Sequence, residues 1–177
     1  AKLDAAARQF SKGVRAFVEV ETQDEVGRLA ESFNYMVDAI EERERKISHI
    51  ALHDILTGLP NRKLFAEQME FALSRLEKSG GLIVGYLDLD NFKRLNDTNG
   101  HAAGDAVLSE SARRMRAVVP ANALVARLGG DEFACAVPFD PARPEFVDRT
   151  ASQLIESLCA PIVNSGIRLE GISISLG

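Results

Sequence analysis

The strongest constraint on the fold of this chain is a heptad-like spacing of apolar residues between positions 26 and 50. These side chains recur at alternating three- and four-residue steps, interrupted once by Arg43: Val26, Leu29, Phe33, Met36, Ile40, Ile47 and Ile50. A period of 3.5 residues is typical of a helix that pairs with other helices. The opposite face is strongly polar, so a coiled coil is favoured over a helix packed only on its own domain.

A shorter amphipathic helix is expected ahead of this seam. Its apolar face is formed by Leu3, Ala7, Phe10 and Val14. Gly13 is expected to end the helix, and the segment that follows is interpreted as a connector. Thr22 and Glu25 have the spacing of a capping box, which predicts that the long helix begins just before the seam.

Helices and strands alternate after about residue 60. Asn61 is placed to cap a helix, and the apolar stretch 82–89 predicts a strand. The remaining expected elements are a helix over 104–118, strands over 124–128 and 132–137, a helix over 144–158 and a last strand over 167–176. This order predicts an α/β fold in which helices flank a mixed sheet.

Composition excludes some classes of function. The 177 residues carry a formal net charge of −5, which argues against binding nucleic acid or an anionic membrane through bulk electrostatics. A nucleotide ligand remains compatible, because backbone N–H groups and a metal can hold phosphates on an acidic protein. Cys135 and Cys159 are too few for a disulfide framework, so a reducing compartment is favoured.

Two carboxylates stand at the end of the first predicted strand. Alternation places Asp88 and Asp90 on one face of this strand, with the intervening Leu89 on the other. Mg²⁺ prefers such oxygen ligands and shares its remaining positions with substrate phosphates. Taken alone, the pair is equally compatible with a solvated strand end.

A second acidic cluster follows two glycines between the predicted hairpin strands. Gly129 and Gly130 permit a tight turn and let a ligand come close to the backbone, and Asp131 and Glu132 follow directly. Neighbouring strands lie about 5 Å apart, so this turn and Asp88 are compatible with one shared metal site. The alternative is a plain hairpin with exposed acids.

The segment between these clusters contains candidates for nucleotide binding. Lys93 and Arg94 are suited to phosphate, and Asn96 with Asp105 offers the donors and acceptors that a guanine edge requires. Asp105 is equally compatible with a helix N-cap. His101 is interpreted as structural, because no second His or Cys lies at metal-ligand spacing.

Five segments together resemble the GGDEF family, in order and in spacing, over residues 51–177. They are 54–62 (from Asp54-Ile55-Leu56-Thr57 to Arg62), 88–93, 96–97, 100–105 and the Gly-Gly-Asp-Glu-Phe of 129–133. The resemblance implies a fold like the palm of nucleotide cyclases and polymerases. It also implies the conversion of two GTP into cyclic di-GMP and two pyrophosphates across a homodimer.

The same resemblance implies roles for individual residues. Asp88 and Asp131, with the Leu89 carbonyl, would hold Mg²⁺, two ions per site, with Mn²⁺ possible. Glu132 would assist the attacking 3′-hydroxyl, which makes Glu132, Asp131 and Asp88 the expected catalytic set. The expected substrate-binding residues are Asn96 and Asp105 for guanine, Lys93 for the triphosphate, and Phe92, Gly129 and Gly130.

The N-terminal part resembles a HAMP domain over residues 3–45, on the motifs 24–27 (Asp-Glu-Val-Gly) and 33–36 (Phe-Asn-Tyr-Met). HAMP units form parallel dimeric four-helix bundles and usually follow a transmembrane helix. The resemblance therefore implies a cytoplasmic part of an inner-membrane protein. We expect HAMP-like helices and a signalling coiled coil over 1–50, and a GGDEF domain over 51–177 that lacks its C-terminal end.

Two departures from the family pattern affect the expected function. Many members carry an Arg-x-x-Asp site for inhibition by product, but Pro120 and Ala123 occupy those positions, so no inhibition is expected there. Members also continue into a helix whose Lys and Arg hold phosphates, and 160–176 resembles domains followed by an EAL phosphodiesterase domain. The alternative function is therefore a catalytically weak GTP-binding module that controls an attached EAL domain.

Overall fold

The computed structural model describes residues 2–19, 22, 24–76, 80–164, 167–170 and 172–177. Contacts divide the chain into two compact units, Ala1–Ala51 and Leu52–Gly177. Within the described residues, no helix is both long and apolar enough to cross a bilayer.

The N-terminal unit consists of helix α1 (Lys2–Phe10), an extended connector and helix α2, which runs from Glu25 to Leu52. Its core contains Ala6, Ala16, Val18, Ala30, Phe33 and Val37. The buried side chain of Asn34 fixes the connector, because its Nδ2 donates to the Val18 carbonyl at 2.8 Å and its Oδ1 accepts from the Val18 N–H at 2.9 Å. Both polar groups of Val18 are thereby satisfied away from water.

The long helix begins where the sequence predicts, but the capping residue is different. Asp24, and not the predicted pair of Thr22 and Glu25, accepts from the N–H groups of Val26 at 3.0 Å and Gly27 at 3.1 Å. The Thr22 hydroxyl donates to the same carboxylate at 2.6 Å. These hydrogen bonds, with that from Thr22 the largest, hold the pKa of Asp24 below its ordinary value.

The apolar seam of α2 is not the face that packs within the unit. The buried residues of α2 are Gly27, Ala30, Phe33, Asn34 and Val37. Of the seam, only Phe33 belongs to this set, and the exposed members are Val26, Leu29, Met36, Ile47 and Ile50. Helix α2 therefore has two apolar stripes, one used against α1 and the connector and one exposed in the single chain.

The C-terminal unit has the predicted helices and strands in their expected order, with an unexpected helix over 92–99 and an unexpected short strand over 162–164. Its elements are α3 (Arg62–Ser74), β1 (Gly81–Leu89), α4 (Phe92–Asn99), α5 (His101–Val118), β2 (Leu124–Gly129), β3 (Glu132–Phe139), α6 (Glu145–Cys159), β4 (Ile162–Asn164), β5 (Ile167–Leu169) and β6 (Ile174–Leu176). Asn61 caps α3 as predicted, since its side chain accepts from the N–H groups of Lys63 and Leu64.

The α/β class is confirmed, and the sheet pairings add a correction. The main sheet has the order β2-β3-β1-β6, and β4 pairs with β5 separately. Every pairing among the described strands is antiparallel, which differs from the expected mixed sheet. The reason is that β2 and β3 form a hairpin whose second strand, and not its first, lies beside β1.

The single last strand predicted over 167–176 is wrong. The structure has β5 and β6 there, which pair with different neighbours, β4 and β1. Residue 171 of this predicted strand lies outside the described residues. Apolar alternation alone does not reveal a change of partner within one stretch.

The sheet separates a large core from a small one. Along β1, Leu87 and Leu89 face the large core, whereas Tyr86 and Asp88 are exposed on the other face. The large core joins the sheet to α5 and α6 and includes Val107, Met115, Phe133, Val137, Leu154 and Leu158. On the opposite face, Phe65 of α3 packs on the alanines at 126, 134 and 136.

Candidate active site

The acidic candidates meet at the end of β1. Asp88 pairs in register with Glu132 at the start of β3, so the two residues lie directly opposite each other in neighbouring strands. Gly129 and Gly130 form the preceding turn with φ of 144° and 55°, which L-residues with a Cβ rarely adopt. The turn therefore places Asp131 next to this pair.

The electrostatics of this acidic cluster disfavour the ionised form of Asp88. Burial, followed by the charges of Asp131, Asp90 and Glu132, raises the pKa of Asp88 above its ordinary value. Carboxylates so arranged repel one another, and a divalent cation between them would relieve the repulsion.

Asp90 has a different role from Asp88. The Ser175 hydroxyl of β6 donates to its Oδ1 at 2.7 Å, and hydrogen bonds from Ser175 and then Ser173 lower its pKa. The Asp90 N–H also donates to the Ser173 carbonyl at 3.0 Å. Asp90 therefore ties the end of β1 to the C-terminal strand, and its carboxylate is already occupied.

The donor set fits a magnesium ion that is bound partly by the protein and partly by substrate oxygens. Within the described part of the chain, no three His, Cys, Asp or Glu side chains are grouped closely enough to hold a metal ion by themselves. The predicted set is two carboxylates and one main-chain carbonyl, at Asp88, Asp131 and Leu89. Mg²⁺ is commonly bound by one or two carboxylates and completed by water and phosphate oxygens, so a set of this size is adequate.

An arginine that the sequence did not single out pairs with Glu132. The Nη2 of Arg62, the first residue of α3, lies 3.1 Å from Glu132 Oε2. Both side chains are largely exposed, at 67% and 53%, so the pair adds little to stability. Its consequence is orientation, because it holds one carboxylate oxygen of Glu132 toward α3.

A second arginine connects the glycine turn to the start of the domain. Arg127 donates from Nη1 to both carboxylate oxygens of Asp54, each at 3.0 Å. Its Nε and Nη2 donate to the Gly130 carbonyl at 2.9 and 2.6 Å. The guanidinium is only 11% exposed and the Asp54 carboxylate 23%, so solvent screens this pair weakly.

Asp54 is held on its other side by the turn that it begins. The Thr57 N–H and hydroxyl donate to Asp54 Oδ1 at 2.8 and 2.6 Å. Burial acts to raise the pKa of Asp54, but the bonds from Thr57 and the charge of Arg127 outweigh burial and lower it. The sequence motif contained Asp54, but its partner lies 73 residues away, and no local pattern could identify Arg127.

The predicted base-reading residues lie on α4 and α5. Asn96 is partly buried on α4, and its Oδ1 is enclosed without a hydrogen-bond partner in the described structure. Asp105 is exposed on α5. The alternative role of Asp105 as a helix cap is wrong, because α5 begins at His101 with Gly100 in the cap position.

The phosphate candidates lie at the start of α4. Lys93 is exposed, Phe92 is the first helical residue and packs partly on the core, and the two follow closely on β1. Asn91, which precedes them, is the one non-glycine residue with positive φ (56°) among the described residues. This left-handed conformation lies at the turn that joins β1 to α4.

An open cavity of about 460 Å³ adjoins the acids, and its lining includes Asp88, Glu132, Arg62 and Tyr86. Asn96, Asp105 and Lys93 do not line this cavity. The structure thus brings the acidic residues together at one sheet end, while the base-reading candidates occupy the adjoining helix pair.

Sequence comparisons identify both units. Residues 51–177 match the family model for the diguanylate cyclase GGDEF domain, and residues 1–42 match that for the HAMP domain. Diguanylate cyclase TpbB of Pseudomonas aeruginosa is 38% identical over 161 residues, or 86% of this chain and 37% of TpbB. An uncharacterized signaling protein of Caulobacter vibrioides is 45% identical over 127 residues, or 71% of this chain and 16% of that protein. The chain thus spans well under half of either relative.

Solved structures show the same fold. A sensory box/GGDEF family protein from Caulobacter crescentus has 43% identity and a TM-score of 0.66, covering 71% of this chain and 81% of that one. The coiled coil and GGDEF domain of DgcB from the same organism, solved with c-di-GMP, has 28% identity and a TM-score of 0.73. That match covers 88% of this chain and 82% of that one.

Proposed function

Because the chain belongs to the GGDEF family of diguanylate cyclases and carries a HAMP domain at residues 1–42, we propose that it condenses two GTP into cyclic di-GMP. Two pyrophosphates leave in the reaction. The observation that carries the proposal is the register pair of Asp88 and Glu132, with Asp131 on the adjoining turn. A metal ion held by these carboxylate oxygens can also bind the phosphate oxygens of a nucleotide.

The proposed metal ligands are Asp88, Asp131 and the Leu89 carbonyl, with Mg²⁺ or Mn²⁺ as the ion and two ions in each site. When bound, the cations stabilise the attacking and leaving oxygens of the displacement at phosphorus. Burial, followed by repulsion from the neighbouring acids, raises the pKa of Asp88, and this supports the assignment because a cation would compensate for both effects.

The remaining chemistry falls to the side chains around the acids. In each half-reaction, a ribose 3′-oxygen forms a bond to the α-phosphorus of the other GTP, and the bond to pyrophosphate breaks. Glu132 accepts the proton of the 3′-hydroxyl, and Arg62 orients Glu132 for this step through the 3.1 Å pair. The turn at Gly129 and Gly130 lies against the nucleotide, since neither residue adds a side chain there.

Substrate is positioned by α4 and α5. Asn96 and Asp105 read the guanine base through hydrogen bonds, and Phe92 lies beside it. Lys93 contacts the triphosphate next to the N-terminus of α4, where free backbone N–H groups and the helix dipole favour anions. Each domain binds one GTP, so a single domain cannot complete a reaction that joins two.

A second copy of the chain supplies the second GTP. Two sites must face each other before either 3′-hydroxyl can reach an α-phosphorus. The exposed apolar residues of α2 support a homodimer, since they form the stripe that packing within the unit leaves uncovered: Val26, Leu29, Met36, Ile47 and Ile50. We further propose that the HAMP domain transmits a signal to this dimer from a membrane anchor, with the GGDEF domain on the cytoplasmic side.

The proposal is tested by product identification. The protein is incubated with GTP and Mg²⁺, and nucleotides are separated by chromatography. Cyclic di-GMP and pyrophosphate in a 1:2 ratio are expected. Saturable GTP binding without product would contradict the cyclase and favour the alternative, a regulatory GTP-binding module attached to an EAL domain.

A further inference from the structure

Gly104 is buried, but its backbone conformation does not require a glycine. It lies in the first turns of α5, and its φ is not among the positive values of the described glycines. Glycine in a helix is less stable than alanine, because it loses more conformational freedom on folding. The reason for glycine at this position must therefore lie in what surrounds it.

The space beside Gly104 is filled by α4. A Cβ at this position would collide with Asn96 Oδ1, lie 2.9 Å from Asn96 Cγ and 3.1 Å from Phe92 Cζ. Real Cβ atoms essentially never approach other heavy atoms to less than 3.0 Å. Asn96 and Phe92 are thus packed against the bare backbone of α5 at Gly104.

The Asn96 amide oxygen is packed in place without a hydrogen bond. Its Oδ1 is enclosed, and no described donor reaches it. An enclosed acceptor without a partner is unfavourable, and such groups are uncommon in folded proteins. Such unsatisfied groups need an explanation, and strained arrangements cluster at binding and active sites.

We propose that Gly104 is a positioning residue for guanine recognition, which holds the Asn96 amide in place by leaving room for it on α5. This inference rests on the proposed function, in which Asn96 reads the base. Alanine at position 104 occupies the place of the amide oxygen, which is the far end of a flexible side chain. The Asn96 side chain therefore turns away, while α4 and α5 keep their positions.

Nucleotide selectivity and stability separate this role from a structural one. Affinities for non-hydrolysable GTP and ATP analogues with Mg²⁺ are measured by calorimetry on the full-length wild-type protein, Gly104→Ala, Asn96→Ala and the double variant. Gly104→Ala is expected to reduce the preference for the guanine analogue about tenfold, as expected for one lost hydrogen bond. Its melting temperature is expected to stay at or above that of the wild type, because alanine favours the helix.

The double variant provides the decisive comparison. Since both substitutions remove the same amide from the base, the preference in the double variant should equal that in Asn96→Ala. The matched control is Ala117→Gly, an exposed position near the other end of the same helix, which should keep the wild-type preference. Additive losses, an unchanged preference in Gly104→Ala, or an unfolded Gly104→Ala protein would each overturn the inference. A wild-type protein without guanine preference would instead overturn the proposed function.

Discussion

Arg127 illustrates how much one side chain can organise in this site. Four of its hydrogen bonds reach two different segments, the Asp54 carboxylate and the Gly130 carbonyl. A planar guanidinium can serve both directions at once, whereas a single ammonium group cannot. Arg127 therefore links the glycine turn, which precedes Asp131, to the turn that begins at Asp54.

Arg127→Lys tests this dependence. We expect a loss of about 2 kcal/mol in the free energy of unfolding. The lysine ammonium cannot bind both the Asp54 carboxylate and the Gly130 carbonyl, so at least one charged hydrogen bond is lost where little water can replace it. Urea unfolding followed by circular dichroism measures the loss. The exposed Arg143→Lys serves as the control, with an expected change near zero. Equal stability of the two variants would show that Arg127 does not hold the turn.

Asn91 has a left-handed backbone conformation that few residue types adopt readily. Its φ of 56° is accessible to asparagine and glycine, while a β-branched residue there is strained. We expect Asn91→Gly to keep the wild-type stability and Asn91→Val to lose about 1–2 kcal/mol. Thermal unfolding of the two variants checks this, and a stable valine variant would contradict the turn geometry.

At the scale of elements, Arg114 joins α5 to the end of α6. Its guanidinium donates to the carbonyls of Ser157, Ala160 and Pro161 at 2.6–2.8 Å, and its Nε donates to Glu110 at 2.8 Å. The last carbonyls of a helix lack partners within that helix. Arg114 therefore caps α6 from a neighbouring helix, with Glu110 holding the arginine in place.

This cap makes stability depend on pH. Hydrogen bonds from Arg113 and then Arg114, against the opposing effect of burial, lower the pKa of Glu110 from 4.5 to about 2. A carboxyl with a depressed folded-state pKa stabilises the fold above its unfolded-state pKa, and this stabilisation is lost as the pH falls. We therefore expect the stability difference between wild type and Glu110→Gln to be present at pH 6 and to shrink between pH 4.5 and 2. Urea unfolding across this range checks it, with exposed Glu156→Gln as control; a pH-independent difference would contradict it.

Most elements were predictable because each has its own local apolar period, but the short elements α4 and β4 were missed. The bounds of β1, β2, β3 and α6 match the expected segments closely, since each has its own apolar pattern and turn residues. Helical period alone does not tell which face of a helix meets the sheet, because that depends on residues distant in the sequence. The antiparallel pairing of β1 with β3 likewise depends on distant residues.

The grouping of the candidate acids was predictable from the sequence, but the arginines that hold this region were not. Asp88, Asp131 and Glu132 came from short motifs, and the register pair of β1 and β3 supports their grouping. Arg62 and Arg127 were missed as supports, because their partners lie 70 and 73 residues away. Gly104 was noticed only as part of a motif, since the space that it leaves becomes visible only when α4 and α5 are packed.

For the whole molecule, the exposed stripe on α2 predicts an assembly. Ile47→Asp places a charge in the proposed coiled-coil seam and is expected to weaken the dimer at least about tenfold, because the charge loses water on association. Sedimentation equilibrium of the variant measures the change, with exposed Glu44→Lys as the matched control. A dimer of undiminished affinity in Ile47→Asp would contradict the use of this stripe.

We propose that the acids joined across β1 and β3 carry out metal-dependent condensation of GTP. The most direct measurement is the rate of cyclic di-GMP formation from GTP and Mg²⁺ by the wild-type protein, by Asp131→Ala and by Asp148→Ala, an exposed acid on α6. We expect Asp131→Ala to lose at least about a thousandfold in rate while it melts at the wild-type temperature, and Asp148→Ala to keep the full rate. Near-normal turnover by folded Asp131→Ala would contradict it.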